Sequence, residues 1–238
     1  MALLRLEGVS KSFGALTVTD NVSFAVEPGQ ALGIIGPNGA GKSTLFNLIT
    51  GNIAPGAGTI EFDGVDVTRQ PPMQRVVAGI GRSFQIPQPF TNLSVYENLL
   101  VAAQFGGGRH RDVGGFCMDI LDQTGLAKVA DNTSGSLSLL QRKRLELARA
   151  MATSPKLILL DEIAGGLTEG ECVALIQTIK SIHAAGTAII WIEHVLHALN
   201  SVVERLMVLN FGKMLMIGDP AQVMASPEVK EIYLGIDV

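Results

Sequence analysis

Uninterrupted runs of apolar residues alternate along the chain with segments of helical periodicity. Apolar residues three and four positions apart indicate a helix, whereas a short continuous apolar run is typical of a strand that is buried on both faces. The predicted buried strands are Ala31–Ile35, Lys156–Leu160, Thr187–Ile192 and Leu206–Asn210, and the predicted helices are Ser43–Thr50, Gln141–Thr153 and Thr168–His183. Strands that alternate with helices predict an α/β fold with a mostly parallel sheet.

Two regions differ from this pattern. In the first third of the chain, short strands separated by turn residues indicate an antiparallel β subdomain, and they are predicted at Ala2–Val9, Val22–Glu27 and Thr59–Phe62. Residues 86–154 contain no convincing strand and are predicted to form a helical lobe, with a solvated basic loop at Gly106–Gly115. We therefore predict one domain over residues 1–238, with its core in residues 1–85 and 155–238.

The composition excludes several classes of protein. The chain has 238 residues, of which 47% are hydrophobic and 17% are charged, so it is not disordered. Its formal net charge of −4 differs from the basic balance of a nucleic-acid binder. No apolar run approaches the roughly 20 residues of a membrane span, and the N-terminus does not have the pattern of a secretory signal. Two cysteines, Cys117 and Cys172, are typical of a protein in a reducing compartment.

The most specific motif follows the apolar run that ends at Ile35. The segment Gly36-Pro37-Asn38-Gly39-Ala40-Gly41-Lys42-Ser43-Thr44 matches the pattern G-x-x-x-x-G-K-[ST] between a predicted strand and a predicted helix. Glycines allow backbone N–H groups to surround an anion, and the helix directs the positive end of its dipole toward that anion. Lys42 is expected to reach the β- and γ-phosphates of a nucleoside triphosphate, and the Ser43 hydroxyl is expected to bind Mg²⁺.

A second motif places two carboxylates after a buried strand. Leu157-Ile158-Leu159-Leu160 is followed directly by Asp161 and Glu162. In a protein with a phosphate-binding loop, Asp161 is expected in the Mg²⁺ shell, and Glu162 is expected to polarise a water that attacks the γ-phosphate. The two motifs together predict a site that hydrolyses a nucleoside triphosphate.

Three further segments complete a resemblance to a known family. Lys11-Ser12-Phe13-Gly14, Ser83-Phe84-Gln85 and Trp191-Ile192-Glu193-His194, together with the phosphate loop and its carboxylates, resemble the nucleotide-binding subunit of an ATP-binding cassette (ABC) transporter over essentially the whole chain. The resemblance implies a P-loop ATPase in which Phe13 stacks on adenine, Gln85 contacts Mg²⁺ or the attacking water, and His194 contacts the γ-phosphate of ATP. From the residues alone, Phe13 is also a candidate for the core. His194 and His197 show no evident third metal ligand, which favours a surface position for His197.

The family signature is altered in this chain. Leu137-Ser138-Leu139-Leu140-Gln141 resembles the signature Leu-Ser-Gly-Gly-Gln, with leucine in place of both glycines. The resemblance implies that Ser138 and Gln141 contact the ATP bound to a partner subunit, and that Leu139 and Leu140 add bulk where its phosphates approach. The residues Arg142–Arg144 that follow are predicted to be a solvated helix face, with a nucleic-acid patch as the alternative.

Two other motifs are similar to those of branched-chain amino-acid (Liv-type) importers. They are Gly81-Arg82-Ser83-Phe84-Gln85 and Leu93-Ser94-Val95-Tyr96-Glu97-Asn98-Leu99, and within that group the chain resembles the LivG-like subunit. The resemblance implies ATP-driven uptake of branched-chain amino acids or a related small polar solute at the cytoplasmic face of the inner membrane. The implied partners are a second, LivF-like ATPase subunit or a second copy of the chain, and transmembrane permease subunits that contact a groove near Ile86–Phe90.

Three alternatives remain at this stage. The altered signature is compatible with a regulatory subunit that binds ATP with little hydrolysis. Some ABC ATPases act on nucleic acid without a permease, although the acidic balance and the single cassette are against this function. The apolar residues of Ile86–Phe90 are also compatible with internal packing of the helical lobe.

Overall fold

Six strands form the larger sheet of the computed structural model, which describes residues 1–234. Their order across the sheet is β10-β9-β3-β8-β7-β6. The strands are β3 (Ala31–Ile35), β6 (Ile80–Ser83), β7 (Leu157–Asp161), β8 (Ala188–Ile192), β9 (Arg205–Asn210) and β10 (Lys213–Gly218). All neighbours are parallel except β9 and β10. Every residue of β3, β7 and β8 is buried, which is the reason for their continuous apolar sequences.

A smaller antiparallel sheet lies in the N-terminal part of the chain. Its strands, in the order β2-β1-β4-β5, are β1 (Leu4–Phe13), β2 (Leu16–Val26), β4 (Ala57–Phe62) and β5 (Val65–Asp66). Asp63 and Gly64 connect the last two strands with φ of 51° and 75°, as a two-residue hairpin turn requires. β1 and β2 extend further toward their shared turn than predicted, because their polar ends continue to pair where the apolar pattern has stopped.

Helices cover both faces of the larger sheet. The elements are α1 (Lys42–Thr50), α2 (Pro72–Ala78), α3 (Val95–Phe105), α4 (Val113–Gln123), α5 (Leu139–Ala152), α6 (Glu169–Ala184), α7 (Leu196–Asn200), α8 (Pro220–Ala225) and α9 (Pro227–Leu234), with 3₁₀ turns at Ala127–Val129 and Ser134–Ser136. One apolar cluster joins α1 and the smaller sheet to one face of the larger sheet, and a second joins α6 to the opposite face. The arrangement confirms the predicted α/β fold.

The stretch 86–154 contains α3, α4 and α5, which pack around an apolar cluster of their own. The predicted loop Gly106–Gly115 is wrong in its last three residues, because α4 begins at Val113. Asp112 caps this helix by accepting a hydrogen bond from the Gly115 N–H at 2.9 Å, so the chain becomes helical before the glycines end. Residues 235–238 of the predicted domain lie outside the described residues. In residues 1–234 we find no helix with the length and apolar character needed to cross a membrane.

Candidate functional site

The phosphate loop connects the end of β3 to the first turn of α1. Gly41 has φ of 98°, and a Cβ at this position would collide with the backbone carbonyl of Val18, so glycine is required there. Within residues 1–234, no side chain caps the first turn of α1. The loop, Val18 and Glu162 line a pocket of about 200 Å³. An anion in this pocket would lie at the positive end of α1.

Lys42 crosses this pocket and is almost completely buried. Its Nζ donates hydrogen bonds to the carbonyl oxygens of Gly36 at 2.7 Å and Pro37 at 3.1 Å. Desolvation lowers the pKa of Lys42, and the charges of Glu162 and Asp161 oppose that shift. The ammonium group is therefore held at the loop by neutral carbonyls and nearby carboxylates, a setting in which an added phosphate charge would be stabilised.

Glu162 joins two of the predicted catalytic residues. Its Oε2 accepts a hydrogen bond from Gln85 Nε2 at 2.5 Å, and its Oε1 lies 2.9 Å from Nε2 of His194. Glu162 also has φ of 47°, which is uncommon for a residue other than glycine and costs about 1–3 kcal/mol. Its N–H donates to the carbonyl of Ile192 at 2.9 Å, so the strained residue is held between the ends of β7 and β8.

Asp161 is the buried carboxylate at the end of β7. Its Oδ2 lies 2.7 Å from Nη2 of Arg82, and both side chains are nearly excluded from solvent. Asp161, the Ser43 hydroxyl and the Gln85 amide offer hard oxygen donors, which fit Mg²⁺ together with phosphate oxygens. The described residues hold no cluster of three or more histidines, cysteines and carboxylates that could bind a metal. His197 is exposed on α7, as predicted.

A second layer of buried charge supports the site. Glu193 is 2% exposed, and its carboxylate accepts hydrogen bonds from the N–H groups of Ala164 at 2.7 Å and His194 at 3.0 Å. Desolvation raises the pKa of Glu193, whereas these hydrogen bonds lower it. Glu193 thus connects the loop after Glu162 to the segment that carries His194. Sequence reasoning missed this role, although Glu193 lies within the motif that suggested His194.

Lys143 corrects the prediction of a solvated face at Arg142–Arg144. Arg142 is exposed, but Lys143 is 5% exposed on α5. Desolvation lowers the pKa of Lys143, and the charges of Glu193 and Glu162 raise it. A buried cation on which nearby carboxylate charges act belongs to the interior of the site, so Lys143 does not contribute to a basic surface at this position.

These observations can be compared with known proteins. A protein-family model described as ABC transporter matches residues 19–165. The chain belongs to the ABC transporter family. It is 34% identical to BraF, a high-affinity branched-chain amino acid transport ATP-binding protein of Pseudomonas aeruginosa, over 98% of both chains. It is 32% identical to LptB, the lipopolysaccharide export system ATP-binding protein of Haemophilus influenzae, over 99% of this chain and 98% of that one.

Solved structures give the same result. An ATP-binding cassette of an ABC transporter, crystallised in its ADP conformation, has a TM-score of 0.90 and 33% identity, with 99% of this chain and all of that chain covered. The protein is therefore an ABC ATPase and a subunit of a transporter, and subunits of this family work with transmembrane permease components. The predicted enzyme class is confirmed.

Two segments predicted to bind nucleotide lie outside the pocket of this ABC ATPase. Phe13 is 50% exposed at the end of β1, with Nζ of Lys11 5.3 Å from its ring centre, so the core alternative is wrong. Ser138 and Gln141 form a capping box at the start of α5, each accepting a hydrogen bond from the backbone N–H of the other. Leu139 is 47% exposed beside them. The spacing S-x-x-Q is itself a signal for this cap.

An apolar groove of about 320 Å³ lies between β6, α2, α3 and α5. Phe84, Phe90 and Phe105 line it, and all three are exposed. Ile86, in the segment between them, is 71% exposed, so the alternative of internal packing for Ile86–Phe90 is wrong. Arg149 holds this segment by donating a hydrogen bond to the Gln88 carbonyl at 2.8 Å. The groove therefore exposes apolar side chains close to the site.

Proposed function

We propose that this ABC ATPase powers the uptake of branched-chain amino acids or a related small polar solute. It would work as a peripheral subunit at the cytoplasmic face of the inner membrane, with transmembrane permease subunits and a second, LivF-like ATPase subunit. The 34% identity to BraF over 98% of both chains supports this substrate class. Each ATP would lie between the phosphate loop of one subunit and the signature segment of the other.

The phosphate loop carries the first part of the mechanism. Backbone N–H groups of residues 38–44 and the start of α1 surround the triphosphate, and Lys42 neutralises charge at the β- and γ-phosphates. Phe13 supports the adenine from the exposed end of β1. Ser43, Asp161 and Gln85 would hold Mg²⁺, which supplies charge compensation on the phosphate oxygens.

Glu162 carries the second part. As general base it accepts a proton from the water that attacks the γ-phosphate in line with the leaving group. Gln85 and His194 both contact its carboxylate, so they orient it, and His194 is within reach of the reacting phosphate when that group lies beside Glu162. The strained backbone of Glu162 holds the carboxylate in this position.

Replacement of Glu162 by glutamine tests the base directly. Glu162→Gln keeps the shape and removes the proton acceptor, so we expect turnover to fall by about 100-fold or more. ATP affinity should persist, because Lys42 and the loop are intact. Glu61→Gln, at an exposed position of β4, is the matched control. Steady-state hydrolysis and equilibrium binding are measured on the same preparations, and a Glu162→Gln variant with parental turnover would contradict the assignment.

The altered signature predicts two unequal ATP sites in a pair with a second subunit. Ser138 and Gln141 face the partner's nucleotide, and the exposed Leu139 adds bulk beside them. We expect this chain's own phosphate loop to form the strong site and the partner's loop to form the impaired one. Single-turnover hydrolysis in the reconstituted pair measures each site, and equal rates would contradict the asymmetry.

The apolar groove is the proposed contact with the permease. A short apolar helix of the permease would cover Phe84 and Phe90, which are exposed in the chain alone. Phe90→Cys should crosslink to a permease segment, whereas the natural Cys117 and Cys172 are buried and provide the background. A crosslink that requires the assembled membrane complex supports the contact, and its absence with intact assembly contradicts it.

Lipopolysaccharide export is a second candidate, because LptB of Haemophilus influenzae is 32% identical over nearly the full length. The two functions are distinguished by reconstituting the chain with its genomic permease partners in proteoliposomes. ATP-dependent accumulation of labelled leucine supports import. ATP-dependent extraction of lipopolysaccharide without leucine accumulation supports export and excludes the first proposal.

A further inference from the structure

Arg82 contacts three elements of the nucleotide site at once. Its Nη2 lies 2.7 Å from Asp161 Oδ2 at the end of β7, and its Nη1 donates a hydrogen bond to Oδ1 of Asn47 on α1 at 2.7 Å. The guanidinium centre also lies 4.8 Å from the ring centre of Phe84, the residue before Gln85. One side chain on β6 therefore connects α1, Asp161 and the segment that carries Gln85.

The surroundings of Arg82 restrict its movement. The ring of Phe46 is close to the guanidinium of Arg82, as the ring of Phe84 is, and its centre lies 5.5 Å from the guanidinium carbon. The Arg82 side chain is only 9% exposed and that of Asp161 only 8%. The buried Nε of Arg82 has no hydrogen-bond partner among the described residues, so the two terminal nitrogens provide the polar contacts of the guanidinium. A buried planar fork with two aromatic rings close to it fixes the orientation of the carboxylate that it contacts.

We propose that Arg82 is a positioning residue for the metal side of the nucleotide site. It acts through Asp161 by holding the carboxylate, whose remaining oxygen lone pairs would then be available to Mg²⁺. Carboxylates that bind metals are oriented by hydrogen bonds from a second layer of residues. The inference rests on the proposed role of Asp161, and it assigns to Arg82 a part that the sequence motifs do not.

A purely structural role makes a different prediction. If Arg82 only stabilised the fold, its loss would weaken the binding of free ATP and of Mg²⁺-ATP together, because both use Lys42 and the phosphate loop. If it positions Asp161, its loss should weaken only the part of the affinity that Mg²⁺ adds. The ratio of the two affinities separates these cases and does not depend on turnover.

The test uses the full chain and a fluorescent ATP analogue, titrated once in EDTA and once in excess Mg²⁺. For Arg82→Met we expect the Mg²⁺-dependent gain in affinity to fall about tenfold or more, with the EDTA affinity within about twofold of the parent. Arg82→Lys keeps the charge but loses the fork, so it should recover part of the gain. Lys156→Met is the matched control, since it removes an exposed ion pair with Asp63 near the other end of β7.

Three results overturn the inference. They are a Mg²⁺ gain in Arg82→Met equal to that of the parent, a parallel loss of affinity in both conditions, and a parent that gains nothing from Mg²⁺. Failure of the transport proposal has a different signature, because leucine accumulation can be absent while the affinity ratio still depends on Arg82. The two proposals can therefore fail independently.

Discussion

Arg75 offers a sharp test of how buried polar contacts stabilise α1, the helix that follows the phosphate loop. Its side chain is 1% exposed on α2 and donates hydrogen bonds to four backbone carbonyls. Two of these belong to Leu48 and Ile49 in the last turn of α1, where carbonyls have no partner within the helix. Arg75 therefore caps the C-terminal end of the helix whose first residue is Lys42.

The cost of Arg75→Met follows from the acceptors that it leaves. A buried carbonyl without a partner costs about 1–3 kcal/mol. Leu48 keeps a second donor, the Gly51 N–H at 3.3 Å. Among the described residues, the buried carbonyls of Ile49 and Thr68 and the partly buried carbonyl of Gln70 therefore determine the loss. Desolvation lowers the pKa of Arg75 to about 10, and removal of the buried charge returns part of that desolvation cost. We therefore expect a net loss of about 4 kcal/mol in the free energy of unfolding.

Urea unfolding and thermal melting measure this loss. For a chain of this size, about 4 kcal/mol corresponds to a fall in Tm of about 8–16 °C. Arg75→Lys should lie between the parent and Arg75→Met, since an ammonium reaches fewer of the carbonyls. Arg69→Met, at an exposed neighbouring position, should stay within about 0.5 kcal/mol of the parent. If Arg75→Met loses less than about 1 kcal/mol, the capping argument is wrong.

Two further predictions concern the interior of the site. Burial raises the pKa of Glu193 from its ordinary 4.5, so the folded chain binds this proton more tightly than the unfolded chain. The associated stability is present below about pH 4.5 and is lost as the pH rises through the folded pKa. Glu193→Gln should remove that decline in stability. Urea unfolding between about pH 4 and 7 measures the free energy of unfolding, and an unchanged slope against pH would contradict the prediction. Gly36→Ala would place a Cβ against a backbone carbonyl, so ATP binding should be lost, whereas Gly170→Ala, with open space, should bind ATP normally.

The phosphate loop and the buried strands could be predicted because their determinants are local. β3 coincides with the predicted Ala31–Ile35, and α1 begins one residue before the predicted helix. Continuous apolar runs between parallel neighbours, and glycines followed by Lys42, are visible in a short window. β6 was missed for the opposite reason. Ile80–Ser83 contains one large apolar residue, and its strand conformation depends on pairing with β7.

The contacts around the carboxylates could not be predicted in the same way. Arg82 and Asp161 are 79 positions apart, and no periodicity relates them. Lys143 follows the signature in a basic run, so a helical pattern favoured solvent exposure, but tertiary packing buries it, where the charge of Glu193 acts on it. Sequence patterns identify which residue types are present at a site, whereas the partners of buried charges depend on how distant elements pack.

The low charge content of the chain bears on the groove. Among the residues that the structure describes, six charged side chains are buried, and they lie in the phosphate site, under α1 and along α5: Lys42, Arg75, Lys143, Glu146, Asp161 and Glu193. Buried charges leave fewer charged side chains for the surface, and only 17% of all residues are charged. The exposed phenylalanines of the groove therefore lie in a surface with little charge to keep it solvated. Covering that groove by a permease segment would remove apolar area from water, so the surface suits a stable subunit contact.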